Sequence, residues 1–159
     1  MSRTSALRRQ HDAASKLASQ LLVDIENYRG AGDACVISLG LAKLLGLLQI
    51  HLAQEDRHLY PSLIASGDER VAAVAHQFVA EMGELARGLH SFAKRWPCSR
   101  AVSSNFGAFR NETIAVLNAL NERILRENEE LYPLADTLSS TTPGHDASRI
   151  RSIQVARVK

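Results

Sequence analysis

The chain has 159 residues, of which 45% are hydrophobic and 23% are charged, and its formal net charge is +2. This composition suits one domain with a full-sized hydrophobic core, and so small a net charge gives no basis for nucleic-acid binding. Only 5% of the residues are aromatic, and glycine and proline are sparse. The composition therefore favours long helices over a β-sheet.

The sequence gives no sign of export or membrane insertion. We find no uninterrupted apolar run that approaches the roughly 20 residues needed to span a bilayer. The N-terminal segment also lacks the hydrophobic core of a signal peptide. We therefore expect a cytoplasmic protein that contacts neither a membrane nor nucleic acid. Cys35 and Cys98 are then expected to be free thiols, although both are predicted near one end of the fold and a disulfide stays open.

Apolar residues spaced by three and four predict four long helices. The first ends near residue 29, the second spans about residues 33–64, the third ends near residue 95 and the fourth begins near residue 103. Short connections predict an all-α, antiparallel up-down-up-down four-helix bundle for residues 1–138. Residues 139–159 are predicted to be a C-terminal extension that contains a short helix opened by Pro143 and packs on or near the bundle.

The segment H-L-A-Q-E-D-R-H-L-Y-P, residues 51–61, ends the second helix. His51 and Glu55 continue a stripe of leucines, so both side chains are predicted to point into the core. An ionised carboxylate that is buried without a partner costs several kcal/mol, and a metal ion would compensate it. The fourth helix ends in a short echo of this segment, E-E-L-Y-P-L. Tyr60 and Tyr132 in the two segments are expected to pack and hydrogen-bond at the helix ends.

One layer of polar residues is predicted across the bundle. Turns counted from the helix ends of an antiparallel bundle place residues of all four helices at the same level. The candidate metal ligands in this layer are His11, His51, Glu55, His76 and Glu127. The sequence contains no nucleophile arrangement, phosphate-binding loop or Gly-rich cofactor fingerprint, so we predict neither catalytic residues nor an organic cofactor.

Residues 5–135 resemble the hemerythrin-like (HHE cation-binding) family, whose members hold a non-haem di-iron centre inside a four-helix bundle. The motif H-x-x-x-E-D-x-x-L-Y-P at residues 51–61 carries the resemblance, with His11 in the first helix and His76 in the third. The resemblance implies that histidines of the helices hold the irons and that Glu55 and Glu127 bridge them. It also implies reversible binding or sensing of oxygen, nitric oxide or iron.

Two positions depart from the family pattern. Arg123 stands where the fourth-helix histidine belongs, and position 80, where many members have a second third-helix histidine, is Ala80. A guanidinium cannot ligate a metal, but it can neutralise Glu55 or Glu127 and would repel a second divalent cation. The remaining donors are close to the set used by mononuclear non-haem iron. We therefore expect one iron, or another divalent metal, per chain, with His76 as an assisting ligand.

Other hypotheses remain open at this point. The same residues could form a metal-free ion network of Glu55, Glu127 and Arg123 in a bundle that acts as a protein-interaction or regulatory module. An oxidative enzyme with an open mononuclear site is less favoured. Ferritin-like chemistry requires two Glu-x-x-His units, and only Glu55 and His58 form one. The expected partner is a metal ion or a small diatomic ligand, and the formation of a homodimer stays open.

Overall fold

The computed structural model describes residues 2–140, which are almost entirely helical. The α-helices are α1 Ser5–Glu26, α2 Ala31–Gln54, α3 Tyr60–Ile64, α4 Glu69–Arg95, α5 Ser99–Ser104, α6 Phe106–Arg126 and α7 Tyr132–Ser140. Two π-helical turns, Glu55–Leu59 and Glu127–Leu131, join α2 to α3 and α6 to α7. Residues 2–140 contain no β-strand, so the all-α class is confirmed. Most of the predicted C-terminal extension, including its short helix, lies outside the described residues.

Local chemistry explains where α4 and α5 begin. Asp68 caps α4, because its side chain accepts hydrogen bonds from the backbone N–H groups of Arg70 and Val71 at 2.9 and 3.2 Å. Gly67 precedes this cap with a φ of 81°, a conformation that glycine adopts without a steric penalty. The connection between the predicted third and fourth helices is partly helical. Residues Ser99–Ser104 form α5, since burial of Val102 in the core stabilises a short helix there.

The N-terminus of α1 is fixed by a contact with α7. Thr4 precedes the first residue of α1, but its side chain makes no capping hydrogen bond. Its hydroxyl instead donates to the Asp136 carboxylate, with contacts of 2.9 and 3.1 Å, and Thr4 is fully buried. The Ser2 hydroxyl donates to the same carboxylate at 2.8 Å. The first and last described helices are therefore joined by polar contacts at one end of the molecule.

The buried apolar side chains form two clusters on either side of a polar layer. The larger cluster contains residues of α1, α2, α4, α5 and α6, including Leu21, Ile37, Leu44, Phe92, Val102 and Phe109. The smaller cluster lies around the π-turns and includes Leu7, Leu59, Leu63, Phe78, Leu131 and Tyr132. Along α1, His11 lies between Leu7 of one cluster and Ala14 of the other. His11 thus lies at a boundary inside the core and not at its surface.

The long helices contact one another around this core. Helix α1 packs against α2 and α6, while α4 packs against α3 and α6. These contacts support a helical bundle, and its strict up-down-up-down order stays a prediction. Cys35 and Cys98 are exposed free thiols, so the disulfide that the sequence left open is not formed.

The second helical segment, Ala31–Ile64, is long and apolar enough to cross a membrane, with a mean hydropathy of 1.8 in its most apolar window. Lys43 interrupts the apolar residues of this segment, so its length and hydropathy are not visible as one continuous apolar run. The core helix of a bundle meets the same criteria, and Ile37, Leu41 and Leu44 of this helix are buried in the core. The absence of membrane contact therefore stays a prediction.

Candidate metal centre

Each of the two π-turns begins at a buried glutamate and ends just before a buried tyrosine. The backbone N–H of Tyr60 donates to the carbonyl of Glu55, and that of Tyr132 donates to the carbonyl of Glu127, five residues back in both cases. A proline follows each tyrosine, and its ring would crowd the carbonyl four residues earlier in a regular helix. The wider turn lies just ahead of this proline in both segments. Such π-turns recur at functional sites, where they redirect side chains.

Four potential metal-binding atoms converge inside the bundle. The Nε2 atom of His11 lies 3.1 Å from Nε2 of His51, 3.0 Å from Oε2 of Glu127 and 3.2 Å from the hydroxyl of Tyr132. All four residues are buried. Metal bonds of about 2.1 Å at right angles place neighbouring ligand atoms about 3.0 Å apart. The three distances from Nε2 of His11 therefore match the edges of a metal coordination shell, while Nε2 of His51 and Oε2 of Glu127 are farther apart, at 3.9 Å.

The outer nitrogens of both histidines are already hydrogen-bonded. Nδ1 of His11 lies 3.0 Å from Oδ1 of Asn128, and Nδ1 of His51 lies 3.0 Å from Oε1 of Gln10. The Gln10 amide nitrogen donates to Gln54, which turns the Gln10 oxygen toward the histidine. Because amide oxygens only accept, each Nδ1 carries a hydrogen, and Nε2 is the ring nitrogen that faces the interior of the site. The two Nε2 atoms are close enough to share a proton or a metal cation.

Glu55 lies beside these atoms and is fully buried. Its Oε1 accepts a hydrogen bond from Tyr132 at 2.8 Å, and its Oε2 accepts one from Tyr60 at 3.3 Å. The Oε2 atom is also 3.6 Å from Nε2 of His51. Burial, followed by the negative charge of Glu127, raises the pKa of Glu55. Burial therefore disfavours the carboxylate form of Glu55, whereas a bound metal would favour it.

Glu127 connects the histidines to Arg123. Its Oε2 faces His11 at 3.0 Å and His51 at 3.9 Å, while its Oε1 accepts a hydrogen bond from Nε of Arg123. Burial opposes ionisation of this group, but hydrogen bonds with the two histidines and the charge of Arg123 outweigh it. Together they lower the pKa of Glu127 to about 2. Glu127 is thus an anion with one oxygen toward the two histidines and the other toward Arg123.

Arg123 is buried within the polar layer, on the side of Glu127 away from the histidines. Its Nη2 donates to the Tyr60 hydroxyl at 2.7 Å, and its guanidinium lies 4.6 Å from the centre of the Phe78 ring. Nη1 is 3.5 Å from Oε2 of Glu81 but makes no hydrogen bond. Burial opposes the charged form, yet the carboxylate of Glu127 outweighs it and raises the pKa of Arg123. A permanent cation therefore occupies the place that the resemblance assigns to the second metal and its ligands.

Helix α4 supplies no metal ligand, and this corrects the predicted position of His76. His76 is exposed and lies outside the polar layer. The inward side chains of this part of α4 are Ala75, Phe78 and Met82. His76 follows Ala75 directly, and one residue along a helix rotates a side chain by about 100°, out of the core. Ala80 is exposed for the same reason. The inward side chains of α4 nearest Arg123, Phe78 and Met82, are therefore apolar.

A small cavity adjoins the convergent atoms. Its volume is about 10 Å³, which suits one water-sized molecule. The polar part of its wall comes from Gln10, His11, His51, Arg123 and Glu127, and the apolar part is formed mainly by Leu47, Leu48, Met82, Leu85, Leu89, Leu120 and Ile124. A small, weakly polar ligand would therefore find room beside the histidines with little competition from bulk water.

The family model of the hemerythrin HHE cation-binding domain matches residues 2–135 of the chain. The chain belongs to the hemerythrin family. Comparisons with curated proteins and with solved structures gave no match. The family is a cation-binding one, and the ligand atoms of His11, His51 and Glu127 lie within 4.8 Å of one another, close enough to hold one metal ion.

Sequence reasoning missed two neighbours of this hemerythrin-like centre. Gln10 and Asn128 orient the histidine rings, a role that metal sites commonly give to residues just outside the ligand shell. The available signal was weak: each is a polar residue directly beside a predicted ligand, His11 or Glu127, in the chain. The predicted role of the two tyrosines, to pack and hydrogen-bond, is confirmed, but their hydroxyls lie within the polar layer and not at its edge.

Proposed function

We propose that this hemerythrin-family protein binds one non-haem iron, or another divalent metal, per chain. His11, His51 and Glu127 would hold the metal, with Glu55 as a fourth ligand. The observation that carries the proposal is the pair of Nε2 atoms that face each other at 3.1 Å while both Nδ1 atoms are committed to amide oxygens. A metal ion would satisfy both Nε2 atoms and the Glu127 carboxylate at once, and the hydrogen bonds at Nδ1 already orient the rings for it.

The small cavity supports a role in binding or sensing oxygen, nitric oxide or iron itself. A bound metal would supply an open coordination position toward the cavity. The protein contributes the rest: Gln10 and Asn128 fix the histidine rings, and the surrounding leucines exclude water. Arg123 argues against oxygen carriage by two irons, because its charge and the apolar Phe78 and Met82 leave no ligands for a second metal.

The measurement that tests this proposal is the metal content per chain of protein purified without chelators from iron-supplemented cells. We expect about one iron per chain. His51→Leu should reduce the content to near zero. His76→Leu, which changes an exposed histidine outside the centre, should leave it unchanged. A parent protein without iron would refute the proposal, and two irons with the absorption of an oxo-bridged pair would refute the role given to Arg123.

A metal-free bundle that serves as an interaction or regulatory module is the second candidate. The contact of Arg123 with Glu127 favours it, since this pair already neutralises one buried carboxylate. Burial raises the pKa of Glu55, which shifts the other carboxyl group toward its neutral form. The two candidates make opposite predictions for chelator, because only the metal-binding protein loses stability when chelator is added.

We also infer an antiparallel up-down-up-down arrangement of the helices and a cytoplasmic location. The short connections and the packing of α1 on α2 support the arrangement. The location rests on the sequence alone, and fractionation of cells that produce the tagged protein tests it together with membrane association of the segment Ala31–Ile64.

A further inference from the structure

The side of α2 that faces away from the core is apolar. The helix buries Ile37, Leu41, Leu44, Leu48 and His51 on its inner side. The opposite side of a bundle helix normally carries charged and polar residues. In α2 this side, named the outer face, consists of nine exposed residues: Gly32, Cys35, Val36, Leu39, Ala42, Lys43, Gly46, Gln49 and Ile50. Lys43 is the one charged residue among these nine.

The outer face also concentrates the exposed hydrophobic side chains of the molecule. Val36 is 57% exposed, and Leu39 and Ile50 are each 58% exposed. They are three of the six large hydrophobic side chains that are exposed in residues 2–140, and the other three are spread over α1, α4 and α6. Only 28% of the most apolar 18-residue window of the segment is buried. A continuous apolar surface of this kind marks a contact with another molecule.

The charges on and around the outer face favour a second copy of the chain over a membrane. A helix that lies on a membrane is normally rich in Lys and Arg, which attract anionic lipid headgroups. Lys43 is the only cation on the outer face, and charges of both signs flank it, Arg29 and Asp33 at one end and Asp56 and Arg57 at the other. A face that is nearly neutral can pair with a copy of itself, as a two-fold symmetric dimer requires.

We propose that two copies of the chain associate through the outer face of α2, with the two helices antiparallel and closest at Gly46. A glycine without neighbours lets a partner helix approach, and no atom lies within 4 Å of a Cβ built at this position. A two-fold axis at Gly46 sets Lys43 opposite the partner's Gln49, whose amide oxygen can accept from the ammonium. It also sets Ile50 opposite the partner's Ala42, a large side chain against a small one. The two Lys43 positions are six residues apart, about 9 Å along the axis.

The size of the outer face determines the strength of the dimer. A standard interface uses about 20–30 residues on each side, and the outer face supplies nine. The dimer therefore belongs to the weak, reversible class. We expect dissociation in the micromolar range, with mostly dimer above about 100 µM and mostly monomer below about 1 µM.

The test is analytical ultracentrifugation of the full-length protein over this concentration range. It is run in chelator, so the result does not depend on the proposed metal function. The average mass should rise from the 17.4 kDa of one chain toward twice that value. Ile50→Lys, which sets a second cation beside the partner's Lys43, should weaken association at least about tenfold. Leu125→Lys is the matched control, because Leu125 is 48% exposed on α6, and it should leave association unchanged. Far-UV circular dichroism checks that both variants fold.

Disulfide cross-linking tests the orientation of the two helices. Gly46→Cys in a chain with Cys35→Ser and Cys98→Ser should form a covalent dimer on mild oxidation, because the two positions meet at the axis. The parent should form no such link through Cys35, since antiparallel helices hold the two Cys35 positions 22 residues apart, about 33 Å. A parent dimer linked through Cys35 would overturn the antiparallel arrangement.

The remaining outcomes identify what else covers the outer face. A chain that stays monomeric above about 100 µM overturns the proposal. Cosedimentation of that monomer with phosphatidylcholine vesicles, lost in Ile50→Lys, would then assign the outer face to a membrane. A monomer that ignores vesicles would assign it to residues 141–159 of the same chain or to a different protein. A dimer that Ile50→Lys does not weaken places the interface elsewhere and also overturns the proposal.

Discussion

Replacing Arg123 by methionine tests whether this side chain stands in for a second metal. Methionine keeps much of the length of the side chain but removes its charge and its hydrogen bonds to Glu127 and Tyr60. In chelator, Arg123→Met leaves one carboxylate oxygen of Glu127 without its cation. Breaking a buried pair in this way costs about 3–5 kcal/mol of unfolding free energy.

Metal should reverse much of this loss. A metal on Oε2 of Glu127 remains a counter-charge for the carboxylate after Arg123 has gone. Across a bridging carboxylate the two cations are about 5 Å apart, so their repulsion is about 3 kcal/mol per metal charge at an effective dielectric constant of about 20. Even if most of this is relaxed by the surroundings, about 1.4 kcal/mol of relief would raise metal affinity about tenfold.

The assay compares urea unfolding in chelator and in excess zinc(II), an air-stable probe, with metal titrations of both proteins. Arg126→Met is the matched control, because Arg126 contacts the same Glu81 carboxylate and lies 4.8 Å from the centre of the same Phe78 ring. Its side chain is 37% exposed, so we expect a change below about 1 kcal/mol that does not depend on metal. An Arg123→Met protein that loses the same stability in metal and in chelator, with unchanged metal affinity, would refute the reasoning.

The residues around Arg123 and the contact between the N-terminal segment and α7 give two more predictions. The triple substitution Phe78→His, Met82→His and Arg123→His should raise the metal content from about one to about two per chain, whereas Ala80→His with Arg123→His should not, because Ala80 is exposed. Asp136→Asn should lower the unfolding free energy at pH 7 by about 1–2 kcal/mol, since it weakens hydrogen bonds to the N-terminal segment. Burial opposes ionisation, but these bonds outweigh it and lower the pKa of Asp136 below its ordinary value of 3.8. The parent should therefore be more stable than the variant above that value, and this difference in unfolding free energy should disappear as the pH falls through the lowered pKa. Urea unfolding of both proteins at pH 7 and at acid pH measures it.

Most of the polar layer could be predicted from helical periodicity. His11, His51, Glu55 and Glu127 continue apolar stripes at spacings of three and four, so burial of the stripe also buries the polar residue, and all four are buried. Arg123 is buried for the same reason, four residues before Glu127 on one helix face. The sequence left open whether its partner was Glu55 or Glu127. The local i, i+4 geometry decides for Glu127.

The register of α4 could not be predicted with the same security. Its sequence contains apolar residues on neighbouring positions, so a stripe through Ala75 can be drawn with His76 near its edge. Packing decides the matter, because Phe78 and Met82 fill the space beside Arg123 and turn His76 to the surface. A family pattern with histidines on this helix drew the prediction toward the wrong residue. The positions of the tyrosine hydroxyls depended on the π-turns, which periodicity at 3.6 residues per turn does not reveal.

In the proposed site, the charge balance of the buried layer favours one metal with one arginine over two metals. Two divalent metals with the carboxylates of Glu55 and Glu127 would leave a net charge of +2, whereas one divalent metal with Arg123 leaves +1. Burial penalises each uncompensated charge, so an arginine in place of a second metal lowers the electrostatic cost of the site. It also limits the chemistry, because a guanidinium supplies no electrons and a single iron changes by one electron between its common states. A small ligand in the adjoining cavity would therefore be bound or sensed at one metal, and reversible carriage of oxygen by two irons is disfavoured.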